Sequence, residues 1–175
     1  LIPKSNLLIK DVLYNETRTG YIRVLKKMGG NIKISNKRLR HNETICDIET
    51  QYTKTLKAVA LLKEDIRSMI DEIPIFSLIA SYANGRSIIQ GIGELRYKES
   101  DRIKAIVYVL QKLNVNIQEE NEGFIIQGPN KLYNTSVKTF GDHRIAIMHE
   151  IAKLILTKRL LKGTKRETLI ATSFP

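Results

Sequence analysis

Cysteine is nearly missing from this sequence. Cys46 stands alone, which excludes an internal disulfide and fits a reducing cytoplasm. His41, His143 and His149 are the only histidines, and with one cysteine they show no metal-ligand spacing. Aromatic residues make up 6% of the chain, without the interleaving of aromatic and basic side chains on which nucleobases stack. Apolar runs are short and broken by charge, so no membrane span is expected. Leu1–Lys10 has no charged leader ahead of a long apolar stretch, so no secretory signal is expected. A glycine-rich phosphate loop of the nucleotide-binding kinds is missing, and no nucleophilic Ser or Cys arrangement is visible.

What remains is ordinary in bulk and unusual in detail. The 175 residues, 42% hydrophobic and 27% charged, suffice for one good domain or for two small repeated units sharing a core. The net charge of +11 points toward anionic partners. Its lysines are scattered, with few basic runs (Lys26-Lys27, Lys158-Arg159). The abundance of Ile, Lys and Asn also fits a biased nucleotide composition in the gene. The charge therefore favours a small anionic ligand slightly over nucleic acid.

Two short charged clusters carry most of the information: Lys98-Glu99-Ser100-Asp101-Arg102 and Asp142-His143-Arg144. Each sits where a helix is predicted to begin and puts an arginine in the first turn, the unfavourable end of the helix dipole for a cation. The placement makes sense where backbone N–H groups and a guanidinium converge on an anion. The alternative is a pair of solvated ion pairs, Arg102 with Asp101 and Arg144 with Asp142, each worth little.

An internal repeat accompanies them. Val24-Leu25-Lys26-Lys27-Met28-Gly29-Gly30-Asn31-Ile32 aligns without gaps with Val109-Leu110-Gln111-Lys112-Leu113-Asn114-Val115-Asn116-Ile117. A β-branched stretch and an arginine-bearing polar turn, Asn15–Gly20 or Lys98–Arg102, precede each copy. Periodicity predicts strands at 7–13, 31–35, 45–49, 56–61, 87–92, 115–118 and 124–127. It predicts helices at 19–28, 72–82 (stopped by Asn84-Gly85), 100–113 and 142–157. The tail Lys158–Glu167 is basic and weakly patterned, a degraded strand or a disordered stretch.

Arg18, Asp71, Lys98, Glu99, Arg102, His143 and Arg144 gather at turns and helix starts. Three arginines and a lysine can neutralise a carboxylate and a phosphate. Asp71 and Glu99 can move protons where burial raises their pKa. Structural roles compete: Asp71 as a helix N-cap, Glu99 as a solvated turn residue, His143 as a first-turn residue.

Taken together and in order, Asn15-Glu-Thr-Arg18-Thr-Gly20, Asp71-Glu72-Ile73-Pro74, Glu94-Leu-Arg-Tyr-Lys98-Glu99-Ser-Asp-Arg102, Phe140-Gly-Asp142-His143-Arg144-Ile-Ala and Ala171-Thr-Ser-Phe-Pro175 closely resemble the C-terminal part of the 5-enolpyruvylshikimate-3-phosphate synthase family, in its class II style. The resemblance implies an α/β fold of the α+β type: βαβαββ units repeated three times per domain, in a two-domain inside-out α/β barrel. Residues 1–175 would then be one incomplete domain, with repeat units at about 1–69 and 70–140 and part of a third at 141–175. It further implies that the family's N-terminus and other domain lie outside this chain, to be supplied, if at all, by a complementing N-terminal chain. An apolar face left open by missing strands is expected to drive association.

The family transfers the enolpyruvyl group of phosphoenolpyruvate to the 5-hydroxyl of shikimate 3-phosphate. By motif, Asp71 is the proton acceptor beside the shikimate hydroxyls and Glu99 the acid/base carboxylate near the phosphoenolpyruvate methylene. Lys98 lies at the shikimate phosphate, and Arg102 and Arg144 hold phosphoenolpyruvate. Arg18, Asp142 and His143 are supporting candidates. No cofactor, metal, nucleic acid or membrane is implied, and the location is cytoplasmic. Thr172 stands where some members carry a lysine. Other readings are an inactive remnant of a disrupted gene, a basic nucleic-acid-binding module, and a transferase acting on UDP-N-acetylglucosamine; the Asp-His-Arg motif argues against the last.

Overall fold

The computed structural model describes residues 1–160 and 168–172, with side chains through Lys158. Residues 161–167 of the weakly patterned tail lie outside the described residues.

Alternation of apolar and polar residues makes the first half a sheet. Strand β1 (Asn6–Leu13) leads through a 3-10 turn (Glu16–Arg18) into helix α1 (Gly20–Lys27), then into strands β2 (Asn31–Arg40) and β3 (Glu43–Gln51). The second half follows with strand β4 (Leu56–Lys57), helix α2 (Lys63–Arg67), a 3-10 turn (Ile70–Glu72), helix α3 (Ile73–Ala80) and strand β5 (Ala83–Gln90). Another 3-10 turn (Gly93–Tyr97), helix α4 (Arg102–Lys112), strands β6 (Asn116–Glu120) and β7 (Gly123–Gly128), helix α5 (His143–Leu160) and strand β8 (Thr168–Thr172) complete it.

Among the described residues the strands form two four-stranded sheets, ordered β2-β3-β1-β8 and β4-β5-β7-β6. Read outward from β1 and from β5, the two are alike. Each has an antiparallel neighbour (β3 or β7), an antiparallel edge strand beyond it (β2 or β6), and a parallel strand on the other flank (β8 or β4). Strand β4 falls inside the first of the two expected units in sequence, yet it pairs in the second sheet.

Boundaries depart from the periodicity where pairing overrides local signals. The third helix stops at Ala80, and Asn84-Gly85, expected to end it, belong to β5, where Gly85 pairs with Gly128. The stretch expected as a strand over 56–61 runs along β5, regular only at Leu56–Lys57 and continuing through an isolated bridge, Ala60 with Ile88, and through backbone hydrogen bonds from the Ala58 amide to Asn84, the Ile88 amide to Val59 and the Leu61 amide to Ile88. Strand β2 runs past Ser35 to Arg40 because a bulge lets it resume pairing at Arg38. Facing bulges in β1 and β2 are pinned by the buried Asp47. It accepts a hydrogen bond from the Asp11 amide (3.1 Å) and one from Asn36 Nδ2 (2.7 Å). Helix α2 and strand β8 were not anticipated by the periodicity.

The main core joins α3, α4 and α5 to the second sheet through residues such as Phe76, Leu78, Ile106, Phe124 and Met148, all at most 1% exposed. Helix α3 is apolar on nearly every side; its Ser77 hydroxyl is satisfied by donating to the Ile73 carbonyl (2.6 Å). A smaller cluster, Ile22, Cys46 and Ile48, lies between α1 and the first sheet. Between the first sheet, α1, α3 and α5 runs an apolar cleft of about 490 Å³, lined by residues including Leu7, Leu25, Ile75, Ile79, Ile151 and Leu154.

Helix α1 starts hard against α2. The Gly20 amide donates to the Ser68 carbonyl (3.2 Å), and a Cβ on Gly20 would lie 1.9 Å from Ser68 Oγ and 2.8 Å from Ser68 Cβ. Gly20→Ala should therefore lower stability by about 2 kcal/mol through overpacking, read from urea unfolding. The loss should shrink in a Ser68→Gly background; an equal loss there would mean that the clash is not its cause.

Candidate active site

Three starts of helical structure share one rim of the molecule: the 3-10 turn before α3, the N-terminus of α4 and the N-terminus of α5. The turn over Ile70–Glu72 presents Asp71, whose side chain makes no capping hydrogen bond. It is free instead to meet three guanidinium groups. Arg18 Nη2 donates to Asp71 Oδ2 (3.1 Å), Arg144 Nη2 stands 3.4 Å from the same oxygen, and Arg102 Nη1 is 3.7 Å from Asp71 Oδ1. Arg144 also donates through Nη1 to the Asp71 carbonyl (3.1 Å).

Arg102, only 2% exposed, lies beneath this rim. Its Nε donates to Asp142 Oδ2 at 2.7 Å and its Nη2 to Glu99 Oε2 at 2.5 Å. Asp142, 1% exposed, also accepts from the Ser100 hydroxyl (3.1 Å) and from the Arg144 amide (2.9 Å). The residues ahead of it turn sharply, Phe140 and Gly141 both having positive φ (57° and 70°). The Phe140 ring packs edge-on against Tyr108 of α4, with centroids 5.3 Å apart, and so fixes the turn that delivers Asp142.

Neither solvated pair allowed by the sequence forms. Asp101 caps α4 by accepting from the Lys104 amide (3.1 Å) and pairs with Arg96, while Arg102 is buried against other partners. The expected convergence of backbone and guanidinium donors is also modified. One first-turn amide of each helix is already taken by an aspartate, so guanidinium groups are the principal cationic donors on the rim.

Seven of the eight candidate residues come together here: Arg18, Asp71, Glu99, Arg102, Asp142, His143 and Arg144. His143 Nδ1 is 3.9 Å from Glu99 Oε1. Lys98 stands beside Glu99 in sequence, but its ammonium turns to Glu94 (3.8 Å) and does not join the network. Glu72 and Ser100 join it without having been singled out: Glu72 Oε1 is 3.8 Å from Arg18, and its buried Oε2 has no hydrogen-bond partner. Their adjacency to Asp71 and Glu99 was the only signal. Arg96 holds the turn leading to Lys98-Glu99. It donates to both oxygens of Asp101, to Glu119 Oε1, and to the carbonyls of Glu120 and Asn121.

Three guanidinium groups thus face four carboxylates, Asp71, Glu72, Glu99 and Asp142, with the Arg102–Asp142 pair buried beneath the rim. A concavity of about 780 Å³ lies elsewhere, over the bulges at Asp11, Asn36 and Asp47. Among the described residues no three His, Cys, Asp or Glu side chains are grouped to hold a metal ion, and no helix is long and apolar enough to cross a membrane.

Burial alone would raise the Asp142 pKa. Hydrogen bonds from Arg102, from the Arg144 amide and from Ser100 outweigh it and hold the carboxyl below its usual range. The folded value lies below the unfolded one (about 3.9), so the stabilisation is complete above about pH 4 and is lost as pH falls through the folded value. Asp142→Asn should cost on the order of 3 kcal/mol at neutral pH by leaving Arg102 underpaired. It should also flatten the acid loss of stability, followed by urea unfolding from about pH 5 down to about pH 2. An unchanged acid slope would exclude Asp142 as its source.

The sequence profile of a family described as EPSP synthase (3-phosphoshikimate 1-carboxyvinyltransferase) matches residues 1–175. The chain is 47% identical over 155 residues to the 3-phosphoshikimate 1-carboxyvinyltransferase of Persephonella marina, an overlap covering 89% of this chain and 36% of that protein. It is 43% identical over 175 residues to that of Carboxydothermus hydrogenoformans, covering 100% and 40%. The EPSP synthase structure from Acinetobacter baumannii matches with a TM-score of 0.82 and 32% identity over 86% of this chain and 35% of that one. The chain therefore spans less than half the length of these relatives.

Proposed function

The chain belongs to the EPSP synthase family, and from that premise we propose that its rim forms one wall of a site transferring the enolpyruvyl group of phosphoenolpyruvate to the 5-hydroxyl of shikimate 3-phosphate. The observation that carries the reading is the grouping of Arg18, Arg102 and Arg144 around Asp71, with Glu99 on Arg102. In it Arg102 and Arg144 hold phosphoenolpyruvate through charge-assisted hydrogen bonds, and Lys98 serves the shikimate phosphate after swinging away from Glu94. Asp71 accepts the proton of the 5-hydroxyl as its oxygen attacks C2. Glu99, having left Arg102 and taken up a proton from solvent, delivers it to the methylene carbon, giving a tetrahedral adduct. The Glu99 carboxylate then takes a proton back from the methyl group as phosphate leaves with the C2–O bonding pair, which restores the enol ether. Arg18, Asp142 and His143 support these groups.

The same reading treats residues 1–175 as one incomplete domain with repeat units at about 1–69 and 70–140 and part of a third at 141–175. The like order of the two sheets supports it, β4 and β8 being lent across unit boundaries. It places the protein in the cytoplasm, where the lone buried Cys46 stays reduced, and leaves nucleic acid and membrane without a role. The remaining groups of such a site belong to the part of the family that this chain does not span.

Phosphate release from phosphoenolpyruvate and shikimate 3-phosphate tests this. The chain alone should release none above a Lys98→Ala background. Co-expression with the remaining part of the Persephonella marina relative should restore turnover, and Arg144→Ala should then lower it by about 100-fold or more. Restored turnover indifferent to Arg144→Ala would defeat the assignment.

A further inference from the structure

Every nitrogen of the Arg102 guanidinium faces a carboxylate of its own chain: Nε meets Asp142 at 2.7 Å, Nη2 meets Glu99 at 2.5 Å, and Nη1 faces Asp71 at 3.7 Å. At 2% exposure, Arg102 has almost no surface left for a visitor. An anion reaches it where one of these carboxylates departs. The three differ sharply in their freedom to do so. The Asp142 side chain is fully buried and also holds Ser100 and the Arg144 amide. Asp71 is gripped by Arg18 and Arg144 as well. Glu99 is half exposed, and its other polar neighbour is His143, an exposed side chain 3.9 Å away.

We propose that Glu99 is a displaceable occupant of the anion position on Arg102. The acidic group of an arriving substrate takes the Nη2 donor, and Glu99 moves over to His143. The inference rests on the reading of the rim as a site for phosphoenolpyruvate and adds an order of events to it. The carboxylate that handles the proton is tied to Arg102 while the site is empty and is released by the molecule it acts on. Proton transfer then waits for the substrate, and the short side chain serves as both placeholder and reagent.

Titration calorimetry of the whole chain with phosphoenolpyruvate at low salt tests the idea, using native protein, Glu99→Gln and Arg144→Lys. Removing the competing charge should tighten binding by Glu99→Gln about fivefold, the scale of one short-range charge contact in a solvated setting. Saturation of native protein should shift the nitrogen NMR signal of the Arg102 guanidinium and the carboxyl carbon signal of Glu99 together. Binding by Glu99→Gln that equals or falls below native, with Arg144→Lys weaker than both, overturns displacement and leaves the anion site standing. Binding by none of the three, or binding indifferent to Arg144→Lys, overturns both.

Discussion

A guanidinium cut off from water must be answered by charge, and Arg102 organises its surroundings around that demand. Desolvating it costs several kcal/mol unless partners are close and well aligned. Asp142 is brought beneath the rim by the turn over Phe140-Gly141 and answers it from the start of α5. Asp71 and Glu99 answer it from two other segments. Replacing a buried ion pair by apolar groups is often neutral or stabilising, so this arrangement is poorly explained as a stability device. It is well explained by a requirement to hold a planar array of N–H donors in one orientation.

The two sheets serve that requirement by aiming helices. Strand β5 and the 3-10 turn that Arg96 straps to the β6–β7 hairpin deliver the chain to the first turn of α4. On the opposite flank, β1 and the Asn15–Arg18 turn deliver Arg18 and then α1. Two segments of the rim thus follow interior strands, β1 and β5, while Asp142–Arg144 follow the irregular stretch 129–141 and are fixed by the buried pairing of Asp142 with Arg102.

Most of the fold could be read from periodicity, because α1, α4 and α5 bury one consistent set of residues and the strands alternate. The errors fall where long-range pairing decides. Asn84-Gly85 looks like a helix stop in isolation and becomes strand because Gly128 lies opposite. Residues 56–61 do lie along β5, but only Leu56–Lys57 pair regularly and the rest follow it through single hydrogen bonds. Strand β8 was invisible because its reason for existing is β1, more than 150 residues earlier. The candidate site was legible as residue types at helix starts. What sequence did not reveal is depth: Arg102 and Arg144 both lie in a first helical turn, one residue apart in position, yet one is sealed in and the other is about a third exposed. Ser100 and Glu72 escaped notice because a hydroxyl and a second carboxylate carry no distinctive spacing.

The chain carries a net charge of +11, but the rim contributes nothing to that surplus, since its arginines are outnumbered by carboxylates. Attraction and admission are therefore divided between different parts of the molecule. The lysine-rich remainder creates the field that gathers anions from a distance, and ionic strength erodes it over a Debye length of about 8 Å in physiological salt. At the rim an arriving anion meets arginines already paired with four carboxylates and has to compete with them. A crowded pool of chloride and small carboxylates would be concentrated around such a protein without occupying the place where its arginines meet.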